Sequence, residues 1–276
     1  MEYGTLYLCP TPIGNLEDIT YRTLRILGEV DLVAAEDTRR SLQLLNHFGI
    51  KKPLISYFEH NKRQRGEELT ARLMEGQNVA LVTDAGTPAI SDPGEDLVRL
   101  CIEKQIPVVP LPGANAFVTA LIASGHDTGR FTFQGFLSMN KKNRREHLLS
   151  IAKYPETLLF YEAPHKLRTT LSNLLEYLGD RNITLCRELT KTHEEFIHTT
   201  ISAAIAYYET TAPKGEYVLV VDGCSDQIDE GETSDLPLEE VYAAYLKDGV
   251  DSKTALKLAA QDKGISKRQA YELLKT

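Results

Sequence analysis

The chain has little of what staples small or metal-bound proteins. Its four cysteines, Cys9, Cys101, Cys186 and Cys224, are scattered and form no C-x-x-C pair. That excludes a disulfide framework or a zinc ribbon as the organising device and suits a reducing compartment. Long apolar runs are missing as well: none approaches the roughly 20 residues that span a bilayer. The N-terminus does not show the basic-then-apolar pattern of a secretory signal, so a cytoplasmic protein that does not enter a membrane is expected. The usual nucleotide cradles are absent too, with no G-x-x-x-x-G-K-[ST] and no G-x-G-x-x-G after the first strand. The run from His193 to His198 looks like a zinc motif, but its histidines are five apart rather than four. They would not share a helix face, so no metal is expected there.

What is present is an alternation of short aliphatic runs with longer amphipathic stretches, the pattern of α/β units. The length of 276 residues and a hydrophobic share of 42% suit two α/β domains with their own cores. Strands are expected at residues 5–9, 32–35, 53–57, 79–83 and 108–111, then at 132–136, 157–161, 183–187, 195–199 and 217–221. Helical periodicity is clearest at 21–27, 65–75, 95–104, 114–124, 144–152 and 166–178. Asp92, Pro93 and Glu95 have the spacing of a capped helix start. The expected organisation is an N-terminal domain at 1–114, a second at 115–224, an acidic linker at 225–237 and a helical tail at 238–276. In the tail, three short helices are expected at 238–246, 252–261 and 266–274. Ser252 and Ser266 sit at N-cap positions and Gly264 at a left-handed terminus. Lys267, Arg268 and Gln269 open the last helix, which fits a helix-turn-helix. A small packing bundle or dimerisation arm fits equally.

The net charge of −8 argues against a polyanion partner until its distribution is examined. Seven acids and no base lie between Asp226 and Glu240, leaving the rest of the chain near neutral. Basic residues cluster in two expected loops, Lys62, Arg63 and Arg65 in one and Lys141, Lys142, Arg144 and Arg145 in the other. Each alone reads as a solvated face; together they tilt the reading toward a polyanion.

Several expected strands end in turns rich in proline and glycine. These are the turn through Pro10, Pro12 and Gly14, the turn Asp84-Ala85-Gly86-Thr87-Pro88, the turn at Pro112-Gly113, and Tyr161-Glu162-Ala163-Pro164-His165. In α/β sheets the carboxyl ends of the strands form the ligand crevice, and small rigid residues let the backbone approach a ligand there. Four such turns over both halves point to one cleft between two domains. The Asp-x-Gly-Thr within the second turn also keeps a phosphate-binding, phosphotransferase reading open.

These residues resemble the ribosomal RNA small subunit methyltransferase I family, within the tetrapyrrole methylase superfamily. The resemblance runs from Gly4 to about Gly223 and is carried by LYLCPTPIGNLEDIT (6–20), AEDTR (35–39) and ALVTDAGTPAISDPG (80–94). FYEAPH (160–165), RELTKTHEE (187–195) and KGEYVLVV (214–221) extend it through the second half. It implies a two-domain tetrapyrrole-methylase-like α/β fold with a mostly parallel N-terminal sheet, a mixed C-terminal sheet and a small helical tail. It also implies S-adenosylmethionine as cofactor, 2′-O-methylation of a cytidine in the decoding region of 16S rRNA in the small ribosomal subunit, and a homodimer. By position, Asp84, Ala85 and Gly86 correspond to the cofactor-contacting turn of tetrapyrrole methylases. Pro10, Pro12 and Gly14, with Pro88, Asn115, Ala116, Tyr161 and Glu162, are expected at the same crevice. The chain departs from the family's usual Pro-Gly-Pro-Ser-Ala at Pro112–Ala116 and from Phe-Leu-Pro at Phe136–Ser138.

A ribose hydroxyl is a poor nucleophile when neutral, so a nearby proton acceptor would help. Glu162 and His165 are the expected candidates, with Glu188 and Lys191 beside them; a lysine could serve only with a depressed pKa. Glu162 could instead bond a backbone turn, and His165 could cap the helix that follows. The basic clusters would supply phosphate contacts, and Tyr57, Phe58 and Phe136 are available for stacking on an unpaired base. Two competing readings remain: the same fold acting on a tetrapyrrole or a protein side chain, and a ribosome-binding module without catalysis.

Overall fold

Alternating burial along four fully buried residues makes the first half of the chain a two-faced parallel sheet. Within β2 (Leu32–Ala35), Leu32 and Ala34 pack with Leu69, Leu73, Leu97 and Cys101, while Val33 and Ala35 pack with Ile26, Leu27 and Leu45. A strand buried on both faces needs helices on both sides of its sheet. The computed structural model describes residues 2–224, 237–247, 252–263, 265 and 267–274. It places β1 (Leu6–Leu8), β2, β3 (Leu54–Ser56), β4 (Val79–Val82) and β5 (Val108–Pro110) in the order β3-β2-β4-β1-β5, all pairs parallel. Helices α3 (Lys62–Met74) and α4 (Glu95–Glu103) supply one face, α1 (Tyr21–Glu29) and α2 (Thr38–His47) the other.

The second sheet has the order β6-β7-β10-β8-β9. Its strands are β6 (Phe131–Phe136), β7 (Thr157–Glu162), β8 (Asn182–Arg187), β9 (Glu195–Thr200) and β10 (Tyr217–Val221). Only β6 and β7 run parallel; the other pairs are antiparallel. Helices α6 (Lys141–Ile151), α7 (Leu167–Leu178) and α8 (Ile201–Thr210) cover one face, and α5 (Ala116–Ser124) packs on the other.

Both sheets lie within one compact unit, Met1–Gly223; the second unit, Cys224–Thr276, carries α9 (Leu238–Lys247), α10 (Ser252–Asp262) and α11 (Lys267–Leu273). These three helices close on a small core of Leu238, Val241, Ala259, Ala260 and Ala270. Most of the expected acidic linker, Gly264, Ser266 and the side chains of Lys267 and Arg268 lie outside the described residues.

Three expectations are corrected. The two basic clusters are the first turns of α3 and α6 rather than loops. Asp92 does not cap α4, which starts at Glu95 behind Gly94 without a side-chain cap. And α2 and α8 are helices that periodicity had not marked. In α2 only Ser41 and Leu45 are buried, so the core-facing stripe that betrays a helix is nearly absent. In α8 the chain turns from strand to helix without a breaker, Thr200 ending β9 and accepting from the Ala203 N–H as N-cap.

Candidate functional site

The carboxyl ends of β1, β2 and β4 meet where the order of the first sheet is interleaved, the usual place for a ligand crevice. Two turns are zipped together there: the Thr11 N–H donates to Gly86 O at 2.9 Å and the Gly86 N–H to Thr11 O at 3.0 Å. The Thr11 hydroxyl donates to Thr83 O at 3.1 Å, and Thr87 to Ala114 O at 3.0 Å. Gly86 has φ +86, a left-handed conformation that any side chain would strain, and a Cβ on it would lie 3.2 Å from Ile13 Cγ2. A Cβ on Gly113 would lie 2.5 Å from Pro10 Cβ, and one on Gly14 would lie 2.5 Å from Lys191 Cγ. The first turn therefore braces the others by close backbone approach.

These turns wall a cavity of about 340 Å³. One side is formed by Asp84–Thr87, Ile90, Asp92 and the start of α5 at Asn115 and Ala116; the other by Tyr161, Glu162, Cys186, Glu188, Leu189 and Val218. Ile13, Ile90, Phe136, Tyr161, Leu189 and Val218 give it apolar walls, and the volume suits a small-molecule ligand. Phe136, 53% exposed, meets Tyr161 edge-on at 5.5 Å. The Tyr161 hydroxyl accepts from the Phe117 N–H at 3.3 Å, and burial pushes its pKa up to about 12, so it stays a neutral phenol.

Three carboxylates gather around Thr83. Glu36 Oε2 accepts from the Thr83 hydroxyl at 2.8 Å, Asp84 Oδ1 accepts from the Asp37 N–H at 3.1 Å, and Asp92 lies beside Thr83. Burial, and then repulsion from Glu36, raises the pKa of Asp84. The same two causes push Asp92 up to about 6. Arg40 Nη1 lies 3.2 Å from Asp84 Oδ2, leaving the cluster net negative. Among the described residues, no group of three or more His, Cys, Asp or Glu side chains is disposed to hold a metal ion.

Of the residues singled out from sequence, Asp84, Ala85, Gly86, Asn115, Ala116, Tyr161 and Glu162 come together in this cavity. Pro12 and Gly14 line a neighbouring one, while Pro10 and Pro88 line neither. Asn115 uses its side chain to cap α5, accepting from the Val118 N–H at 3.3 Å. Glu162 is buried with both oxygens engaged, Oε1 accepting from the Ala163 N–H at 2.8 Å and Oε2 from the Thr170 hydroxyl. His165 is exposed on the turn and outside both cavities. The hydrogen bonds of Glu162 tie it to its own turn and to α7, and His165 stands away from the cleft. Lys191 lies 2.9 Å from both Glu188 and Glu216. Burial lowers its pKa, but these two hydrogen bonds outweigh that and raise it, which removes it as a base. Sequence reasoning passed over Glu36, Arg40 and Asp92 as site residues; the signal for Glu36 was the AEDTR run at the end of β2, which Arg40 directly follows.

The basic residues divide. Lys62 is held at 2.8 Å by both Glu59 and Asp96, Arg65 pairs with Glu68, and Arg144 bonds Asn173 and the carbonyls of Ser138 and Met139. Lys142 lies 3.9 Å from Glu146. Arg63, Lys141 and Arg145 are exposed. Both clusters stand at helix N-termini with no acid in the first turn, where the helix dipole disfavours cations. Tyr57 is fully buried and unavailable for stacking, whereas Phe58 is 37% exposed.

The fold and cleft define a class, the tetrapyrrole methylase fold. The model for Tetrapyrrole (Corrin/Porphyrin) Methylases matches residues 5–205. Uroporphyrin-III C-methyltransferase from Thermus thermophilus, solved in complex with S-adenosyl homocysteine, has a TM-score of 0.57 at 17% identity, covering 79% of this chain and 97% of its own. Diphthine synthase gives 0.61 at 16% identity, covering 80% and 90%. Within that class, Ribosomal RNA small subunit methyltransferase I of Halalkalibacterium halodurans is 49% identical over 99% of this chain and 95% of its own length. Its counterpart from Bacillus subtilis is 47% identical over 98% and 94%. The chain belongs to the ribosomal RNA small subunit methyltransferase I family.

Proposed function

We propose that this protein is an S-adenosylmethionine-dependent methyltransferase acting on the ribose 2′-hydroxyl of a decoding-region cytidine in 16S rRNA. The observation that carries the reading is 47–49% identity over nearly the whole chain to ribosomal RNA small subunit methyltransferases I, together with a cavity built from the strand-end turns. The cavity fits the cofactor: a cradle a Cβ would fill at Gly86, apolar walls for a ring system, and a net negative cluster suited to a cation. Ala85, Gly86, Asn115, Ala116 and Tyr161 would hold it, with Pro10, Pro12, Gly14 and Pro88 shaping the turns behind them. Bound there, S-adenosylmethionine supplies a methyl group on a sulfonium, transferred by in-line displacement, so alignment accounts for much of the rate.

Cations at two helix N-termini serve phosphate recognition better than helix stability. Arg63, Lys141, Lys142 and Arg145 are therefore read as RNA contacts, and Lys62, Arg65 and Arg144 as residues that hold the two helix starts. A homodimer is part of the same reading, supported by the exposed apolar side chains Val118 and Ile122 on α5 and Phe131 on the edge strand β6. A cytoplasmic location, where a ribosomal substrate would be met, is part of the same reading. Mapping ribose methylation in 16S rRNA with and without the protein tests the reading; activity on a porphyrin precursor or a protein side chain instead would replace it.

A further inference from the structure

A second cavity, of about 400 Å³, adjoins the first, and Arg40 and Asp84 are the two residues that line both among those described. One wall is a single face of α2: Arg40, Gln43, Leu44 and His47, at i, i+3, i+4 and i+7. That face contributes nothing to the core, since α2 buries only Ser41 and Leu45. The helix thus turns a guanidinium, an amide, an imidazole and a leucine into a hollow. These are groups that recognise a flat ring with a polar edge and an apolar face. Thr11 and Leu16 stand across from them.

An acceptor must reach the methyl group without displacing the cofactor, so it needs a hollow that meets the cofactor cavity at one point. We infer that the second cavity receives the acceptor nucleotide and that Asp84, at the partition, takes the proton from the reacting hydroxyl. This rests on the proposed methyl-transfer reading. As the hydroxyl oxygen forms its bond to the methyl carbon, the carbon–sulfur bonding pair leaves with sulfur and the O–H proton passes to the Asp84 carboxylate. Unlike Glu162, whose partners are a backbone amide and a buried threonine, Asp84 shares Oδ2 with Arg40, whose side chain is 68% exposed. Arg40 can swing away as the nucleotide enters. The charged groups facing Asp84 are Glu36, Asp37 and Asp92 on the acidic side and Arg39 and Arg40 on the basic side, with His47 in the second cavity. Burial and Glu36 raise its affinity for a proton, as an acceptor requires.

The test uses the full chain, small ribosomal subunits lacking the modification, single-turnover methyl transfer, and calorimetry with S-adenosylhomocysteine. Gln43 is exposed, so Gln43→Trp fills the second cavity without touching the core. It is expected to cut transfer by about 50-fold or more with S-adenosylhomocysteine affinity within about twofold of the parent. Asp84→Asn is expected to cut transfer by about 100-fold more than it weakens S-adenosylhomocysteine binding, and to abolish the rise of rate with pH on the acidic side. Parent-like transfer by Gln43→Trp overturns the assignment of the cavity. Loss of transfer and of cofactor affinity by the same factor in Asp84→Asn, or an unchanged pH profile, overturns the proton role. A parent chain that binds S-adenosylhomocysteine yet methylates no RNA removes the functional reading, and the inference with it.

Discussion

Replacing Asp92 by Asn removes one of the three carboxylates crowded around Thr83 while keeping the side chain's size and shape. Folding carries Asp92 from an ordinary carboxylate pKa of 3.8 to about 6, through burial first and the charges of Glu36 and Asp84 second. A rise of roughly two pH units at about 1.36 kcal/mol each sets a destabilisation of at most about 3 kcal/mol for the ionised form. Because the folded pKa lies above the unfolded one, the folded chain binds the extra proton between about pH 4 and 6. The parent therefore loses stability as pH rises through that window, and above it the penalty is constant. Asp92→Asn should match the parent near pH 4 and exceed it by about 1–3 kcal/mol at pH 7.5. Urea unfolding followed by circular dichroism at pH 4, 5, 6 and 7.5, without cofactor, measures this. A stability difference that does not change with pH would refute the reasoning, as would a variant less stable than the parent at pH 7.5.

Other expectations follow from the same geometry. Gly86→Ala forces a left-handed φ of +86 on a side chain 3.2 Å from Ile13. It should lower stability by about 1–2 kcal/mol and S-adenosylhomocysteine affinity about tenfold; unchanged affinity would place the cofactor elsewhere. Glu162→Ala leaves the Ala163 amide and the Thr170 hydroxyl unpartnered and should lower stability by about 1–3 kcal/mol. Glu162→Gln should keep methyl transfer within about tenfold of the parent, and a larger loss would return Glu162 to the chemistry. Reversing Arg63, Lys141 and Arg145 to Glu should flatten the salt dependence of small-subunit binding without altering cofactor affinity. Lys62→Glu, which breaks only pairs to Glu59 and Asp96, should act on stability instead. An unchanged salt slope in the triple variant would make that surface merely solvated.

How much of this was legible in the sequence depended on whether a residue's neighbours were local. The ten strands of the described residues fell close to where they were expected, most plainly β2, β4 and β10, because a strand buried on both faces writes itself as a continuous apolar run. The wall at Asp84–Gly86 and Tyr161 was also readable, since these residues lie in strand-end turns rich in glycine, proline and small residues; Asn115 and Ala116 were expected there only through the family resemblance. Helix α2 was not, because the side chains at its helical spacing face a hollow rather than the core. The backbone-turn alternative for Glu162 was legible, since Ala163 is its neighbour, but its second partner Thr170, eight residues on in α7, was not. Asp92 looked like a cap because its neighbours Pro93 and Glu95 have cap spacing. What draws it to Thr83 instead is the fold of the first sheet, which no local pattern encodes.

The central claim is tested most directly by mapping ribose methylation across 16S rRNA from cells with and without this protein, then adding purified protein and S-adenosylmethionine to the unmodified small subunits. One 2′-O-methyl group on a decoding-region cytidine is expected to be absent without the protein and restored by its addition. An identical methylation map in both cells, or a methyl group restored on a base rather than a ribose, would contradict it.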